Sequence, residues 1–449
     1  MQDKDKNYLF LILVHLLLGV VIFSFPIVSK VYGYLILIVG ILVLLKTRNK
    51  NDEVLYICAY IVGSEVFLRM TNGNPNHEFA KYSLVFFFLI GYVYSGFSKM
   101  SLPYLFFIIT LLPGIIIANE TLDFGVEFRK KISFNLSGSL CLAIAAMHTF
   151  GRKLTVGQVG NLLLLMGLPV ISTAVFTQLY APDLKEVLSG TSSNSELSGG
   201  FGPNQVATIL GLGMFIFFTR IILYSRTKLI FIVNVLIAFY VSYRGLLTFS
   251  RGGMITGFLM ILIFLLFIYF KASKKNRVKL NYFVIIFVIL VSAIWMFTSV
   301  KTEGLIDKRY ANKNAMGVEK KDLSTGRNQL VEEEVNWFLD NPFFGIGVGK
   351  GTDYRTAKYG FLYASHNEIT RLLAEHGMLG VIALMILFFT PIFYYMGNKD
   401  NIFLFCFLLF WLLTINHAAM RTAAPSFVYA LSVLKIKFDE EEEPVVHRK

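Results

Sequence analysis

The stretch His366-Asn367-Glu368-Ile369-Thr370-Arg371-Leu372-Leu373-Ala374-Glu375-His376-Gly377 runs directly into Met378 to Met396, a segment without a charged residue. It sets an imidazole at the mouth of a helix able to cross a hydrocarbon core of about 30 Å. Ahead of it lies a long polar segment, Val300 to Ser365, bounded on its far side by another apolar run, Tyr282 to Val300. A chain built this way collects its reactive groups on one face of a membrane.

The rest of the sequence agrees. Of 449 residues, 55% are hydrophobic and only 16% charged, against about 25% charged in a soluble domain. Apolar runs recur from Tyr8 to Ile436, among them Val54 to Met70, Tyr82 to Phe97, Glu368 to Met396, Ile402 to His417 and a weak last one, Ser426 to Ile436. Backbone polar groups cannot go unpaired in lipid, and the runs are rich in Leu, Ile and Phe with little strict alternation, which favours helices over a barrel. The fold class read from this is all-α: a polytopic integral-membrane helical bundle of about 12–14 transmembrane helices with one large periplasmic loop. It divides into an N-terminal helical region (residues 1–299), the loop (300–366), C-terminal spans (367–438) and an acidic tail (439–449).

Lys and Arg next to spans are retained in the cytoplasm. Lys4 and Lys6, Lys46 to Lys50, Arg152-Lys153, Arg226 and Lys228, and Lys271 to Lys279 then lie inside, with both termini, and the 300–365 loop lies outside. Arg129-Lys130-Lys131 breaks this bias, and cations held on the outer face against it suit an anionic ligand. The net charge of +13 is scattered over separate loops and gives no support for nucleic-acid binding. Cys58, Cys141 and Cys406 fall inside spans and suggest neither a disulfide framework nor a metal site. The first apolar run is of full span length without a small-residue cleavage pattern, so it reads as a retained anchor.

In the loop, Val331, Val335 and Phe338 recur at helical spacing beside Trp337, predicting a helix over Asn328 to Asp340 that Asn341-Pro342 ends. Phe343-Phe344-Gly345-Ile346-Gly347-Val348-Gly349-Lys350-Gly351-Thr352 invites a phosphate-loop reading, but Phe344 and Gly351 stand where a Walker loop needs Gly and Ser or Thr. A tight turn whose glycines admit a helix or a lipid headgroup at close range is the better account. Asn367, Arg371 and Glu375 share one helical stripe that lipid would not tolerate, so the stripe faces protein or water. Arg244 and Arg251 bracket the outer end of a span, where guanidinium suits phosphate oxygens or snorkels to the interface. Further polar residues at the outer rim are Glu65 with Arg69, Asn204 with Gln205, Arg327 with Ser324-Thr325-Gly326 before it, and Arg421 near Asn416 and His417; Arg421 is either a snorkelling residue or a phosphate ligand. His15, His148 and His376 read as structural.

Four pieces together resemble the O-antigen ligase and O-antigen polymerase superfamily: Gly200-Phe201-Gly202-Pro203-Asn204-Gln205, Ser250-Arg251-Gly252, the Trp337 to Gly349 turn, and His366-Asn367 with Glu375-x-Gly377-x-x-Gly380. They cover the C-terminal half. The resemblance implies a glycosyltransferase of the bacterial inner membrane that needs no metal or other cofactor. It would pass a glycan from undecaprenyl diphosphate to a hydroxyl of lipid A core, a growing polysaccharide or a protein on the periplasmic face; in-line displacement at the anomeric carbon, with inversion, is the chemistry expected of such residues. By motif, His366 would be the catalytic base and Arg251 a diphosphate ligand. Family members often carry an Arg before the Gly-Phe-x-x-Asn stretch, where this chain has Glu196 and Ser198; Arg244, Arg129 or Lys131 would supply that cation. An imidazole of ordinary pKa, about 6.5, suits the base. The rivals are a metal-dependent polyprenyl-phosphate sugar transferase, whose acidic first outer loop is missing here, and a flippase for lipid-linked glycans, which calls for charges deep in several helices.

Overall fold

The computed structural model describes residues 3–122, 127–188, 190–320, 327–360 and 364–437. Ser324-Thr325-Gly326 and the acidic tail lie outside the described residues. The chain is all-α, and among the described residues the only strands are Lys153–Thr155 and Lys435–Lys437. Among the described residues ten helices are long and apolar enough to cross a membrane, and Phe79–Ser95 and Leu404–His417 are shorter apolar helices.

Three expected spans take other forms. Val54 to Met70 lies in Glu53–Met70, which is buried along most of its length and carries Glu65 2.8 Å from Arg69. Charges of this kind need protein around them, so the helix sits inside the bundle, packed on Val156–Tyr180. Glu368 to Met396 is broken at Gly377 into Glu368–His376 and Met378–Met396. Gly377 has φ +61°, a Cβ there would come within 2.6 Å of the Pro342 carbonyl, and Met378 N–H donates to that carbonyl at 2.7 Å. The polar half is thereby freed from the apolar one. Ser426 to Ile436 yields only the 8-residue helix Ala424–Leu431 before the strand at Lys435, about 12 Å of helix against a core of about 30 Å.

The chain forms two compact units. One comprises Met1–Ser83, Lys153–Lys321 and Ile436–Lys449, the other Leu84–Arg152 and Asp322–Lys435. In the first, Val156–Tyr180 and Pro203–Leu223 are the most enclosed spans, while Asp3–Ser24, Ile27–Thr47 and Lys274–Lys301 present broad apolar faces outward. Arg251–Lys271 lies backbone to backbone against Pro203–Leu223: a Cβ on Gly253 would stand 2.3 Å from the Ala207 carbonyl carbon, and one on Gly211 would stand 2.1 Å from the Gly253 oxygen. The glycine after Arg251-Gly252 therefore serves helix packing. In the second unit, Phe128–Thr149 packs on Ala424–Leu431 and on Leu102–Thr121, and the polar stretch before Met378–Met396 supplies Arg327–Asp340, Lys350–Tyr359 and Glu368–His376.

Gly253→Ala should force the two helices apart at a cost of about 1–3 kcal/mol. Thermal unfolding in detergent measures it; a variant as stable as the native chain contradicts the close approach.

Candidate functional site

Asn367 starts the helix Glu368–His376 as its N-cap, accepting from Ile369 N–H at 2.9 Å and Thr370 N–H at 3.4 Å. Asn is among the strongest N-cap residues because its side-chain oxygen satisfies otherwise orphaned N–H groups. Its amide donates across to Asn416 Oδ1 at 2.8 Å, and Asn367 N–H donates to Ser365 Oγ at 3.1 Å. His366 is pinned between these two residues, half-buried, with Nδ1 enclosed and without a partner among the described residues.

The groups around the ring are cationic. Arg421 donates to the Ser365 carbonyl at 3.1 Å, and Arg327 donates to the His417 carbonyl at 3.2 Å. Burial, then the charges of Arg421, Arg327, Arg355 and His417, hold the His366 imidazole far below its usual value, at about 3. The ordinary value of about 6.5 expected from sequence is thus corrected: desolvation and neighbouring positive charge both oppose protonation. Both effects favour the neutral ring and weaken it as a base.

Behind the ring lies a buried charge network. Arg371 is bound by Glu368, by Glu375 Oε2 at 2.7 Å, and by the Asn135 side chain and carbonyl at 3.1 and 2.9 Å. The stripe of Asn367, Arg371 and Glu375 accordingly faces protein. Glu334, 1% exposed, accepts from Arg355 and from Thr370 Oγ1. The Arg355 guanidinium lies over the Trp337 ring, 5.1 Å from its centre.

The glycine-rich turn braces this helix from outside. Gly345, Gly347 and Gly349 have φ of +74°, +90° and +82°, a conformation that side chains rarely adopt. Ile346 N–H donates to the Ala374 carbonyl at 2.9 Å, Val348 N–H to Gly114 at 3.0 Å, and Gly349 N–H to Glu375 Oε1 at 2.8 Å. The turn approaches helices, one of the two partners expected for it.

Lys131 is ion-paired with Asp353, and Arg129 is exposed at the start of Phe128–Thr149. Arg244, Arg251 and Asn204 belong to the first unit. Arg244 is fully buried, donating to Thr177 Oγ1 at 3.1 Å, Gln178 Oε1 at 3.1 Å and the Thr177 carbonyl at 2.6 Å. Arg251 heads its helix, where the preceding Ser250 donates to Asn204 Oδ1 at 2.8 Å. Arg251 Nη1 stands 3.5 Å from the Arg309 carbonyl. Within the second unit, then, the structure gathers His366, Arg327 and Arg421 at one point, with Asn367, Arg371 and Glu375 as their support.

Sequence reasoning missed Glu334, Arg355, Glu368 and Asn135. Glu334 ends the run Glu332-Glu333-Glu334 and Arg355 sits in a polar helix, so both look solvated. The usable signal was the register of Leu330 and Glu334, the buried residues of Arg327–Asp340, four apart on one face.

Residues 236–385 match the family model described as O-antigen ligase. The stretch contains Arg251, the glycine turn and His366, and the match supports the resemblance to the O-antigen ligase and polymerase superfamily. No curated protein matches the chain.

Arg371→Met would leave Glu368 and Glu375 buried without their cation, a loss of about 3–5 kcal/mol. Chemical unfolding in detergent reads it, and an unchanged midpoint contradicts the buried network.

Proposed function

We propose that this chain is a member of the O-antigen ligase and polymerase superfamily and transfers a glycan from an undecaprenyl-diphosphate carrier to an acceptor hydroxyl, with His366 as general base. The observation that carries this reading is the half-buried imidazole set just before the Asn367-capped helix, with Arg421 bonded to the neighbouring Ser365 carbonyl and Arg327 to the His417 carbonyl. A sugar diphosphate brings its own leaving group. The enzyme must then remove the acceptor proton and hold the charge that departs. The acceptor oxygen attacks the anomeric carbon in line, its proton passes to His366, and the bond from that carbon to the phosphate oxygen breaks with inversion. The diphosphate leaves with the bonding pair, its charge held by Arg327 and Arg421, since guanidinium groups bind phosphate oxygens two at a time.

The guanidinium groups that depress His366 are the ones assigned to the diphosphate. Donor binding therefore offsets them and returns basicity to the imidazole, so the base strengthens where the donor is present. Arg251 keeps the diphosphate role that its motif implies. Arg244, with its guanidinium engaged by Thr177 and Gln178, is assigned to holding its helix. The cation bias of the short loops supports an active site on the periplasmic side of a bacterial inner membrane, with both termini cytoplasmic. Lipid A core, a growing polysaccharide or a protein serves as acceptor.

His366→Ala in the purified full-length chain should lower glycan transfer at least about a hundredfold while the carrier still binds. Turnover at the native rate contradicts the role.

A further inference from the structure

Glu334 is set apart by what it joins. It lies on Arg327–Asp340 and is 1% exposed. One carboxylate oxygen accepts from Arg355 on Lys350–Tyr359, the other from Thr370 in the first turn of the helix that His366 precedes. A carboxylate with both oxygens engaged by two different helices is a bracket. Its removal would loosen the turn that aims the imidazole.

The same carboxylate also controls charge. Arg355 is 2% exposed, stacked on Trp337 and with Nε 3.6 Å from Glu333 Oε2. Its charge reaches His366, together with those of Arg327 from Arg327–Asp340, His417 from Leu404–His417, and Arg421 from the loop after it. Glu368, on the helix that His366 precedes, is held by Arg371. Glu334 is the carboxylate in contact with Arg355 at 2% exposure of both side chains, and so tempers one of the cations acting on the ring.

We propose that Glu334 is a positioning residue for His366: by joining Arg355 to Thr370 it fixes the first turn of the imidazole's helix and limits the positive charge the ring meets. Its consequence for turnover rests on the base role proposed above. Its effect on the imidazole does not.

The test is the pH dependence of His366 modification by diethyl pyrocarbonate, resolved by peptide mass spectrometry on the full chain in detergent. Arg355→Gln should move the midpoint up by about one pH unit, lowering the neutral fraction at a given pH below it about tenfold. Arg355→Lys, which keeps the cation, should leave the midpoint near the native one, and Glu334→Gln should move it down. A structural role alone would change stability or the maximal rate of modification without ordering the midpoints by charge. A native midpoint in either Arg355→Gln or Glu334→Gln overturns the proposal; if Glu334→Gln does not fold, Glu334→Asp, which keeps the charge but shortens the bracket, should keep the midpoint while lowering the maximal rate of modification, and a native rate there overturns it. Ordered midpoints in a chain that transfers no glycan would uphold the positioning role and sink the proposed function.

Discussion

A guanidinium taken out of water must keep its carboxylates, and Arg371 is held by Glu368 and Glu375 at once. Everything at the candidate site depends on that constraint. It commits the helix Glu368–His376 to protein surroundings rather than lipid. It also places the Glu375 carboxylate where Gly349 N–H is bound, so that the glycine turn closes on the helix. The break at Gly377 lets this polar helix and the apolar Met378–Met396 follow different solvents while remaining consecutive in the chain.

With that scaffold rigid, the imidazole's environment follows from charge. His366 lies in a setting where burial and positive neighbours act in the same direction. Under the proposed role, a base so depressed is weak by itself, and an anion that satisfies the same cations would reverse the effect, joining substrate recognition to base activation. Glu334 adds a fixed offset to that balance through Arg355.

The all-α membrane class was legible because apolar length is a direct requirement of the bilayer, and the Asn367, Arg371, Glu375 stripe because lipid excludes it. Boundaries were less so. Hydropathy averages over Gly377, whose positive φ ends one helix and starts another, and it joined two short pieces at Ser426 to Ile436. The helix Arg327–Asp340 and the place of His366 just before a helix start were readable from periodicity and local pattern. Glu334 and Arg355 were not, since each sits among polar neighbours and becomes a buried pair only when two extramembrane helices meet. The ordinary pKa assigned to His366 failed for a related reason: a lone imidazole carries no trace in sequence of the arginines that the fold brings to it.

The most direct measurement is the titration of His366 by nuclear magnetic resonance, with histidine-labelled chain in nanodiscs, without and with undecaprenyl diphosphate. The account predicts a midpoint that rises on carrier binding from about 3 toward the ordinary value of about 6.5. A midpoint that stays fixed or falls when the carrier binds would contradict it.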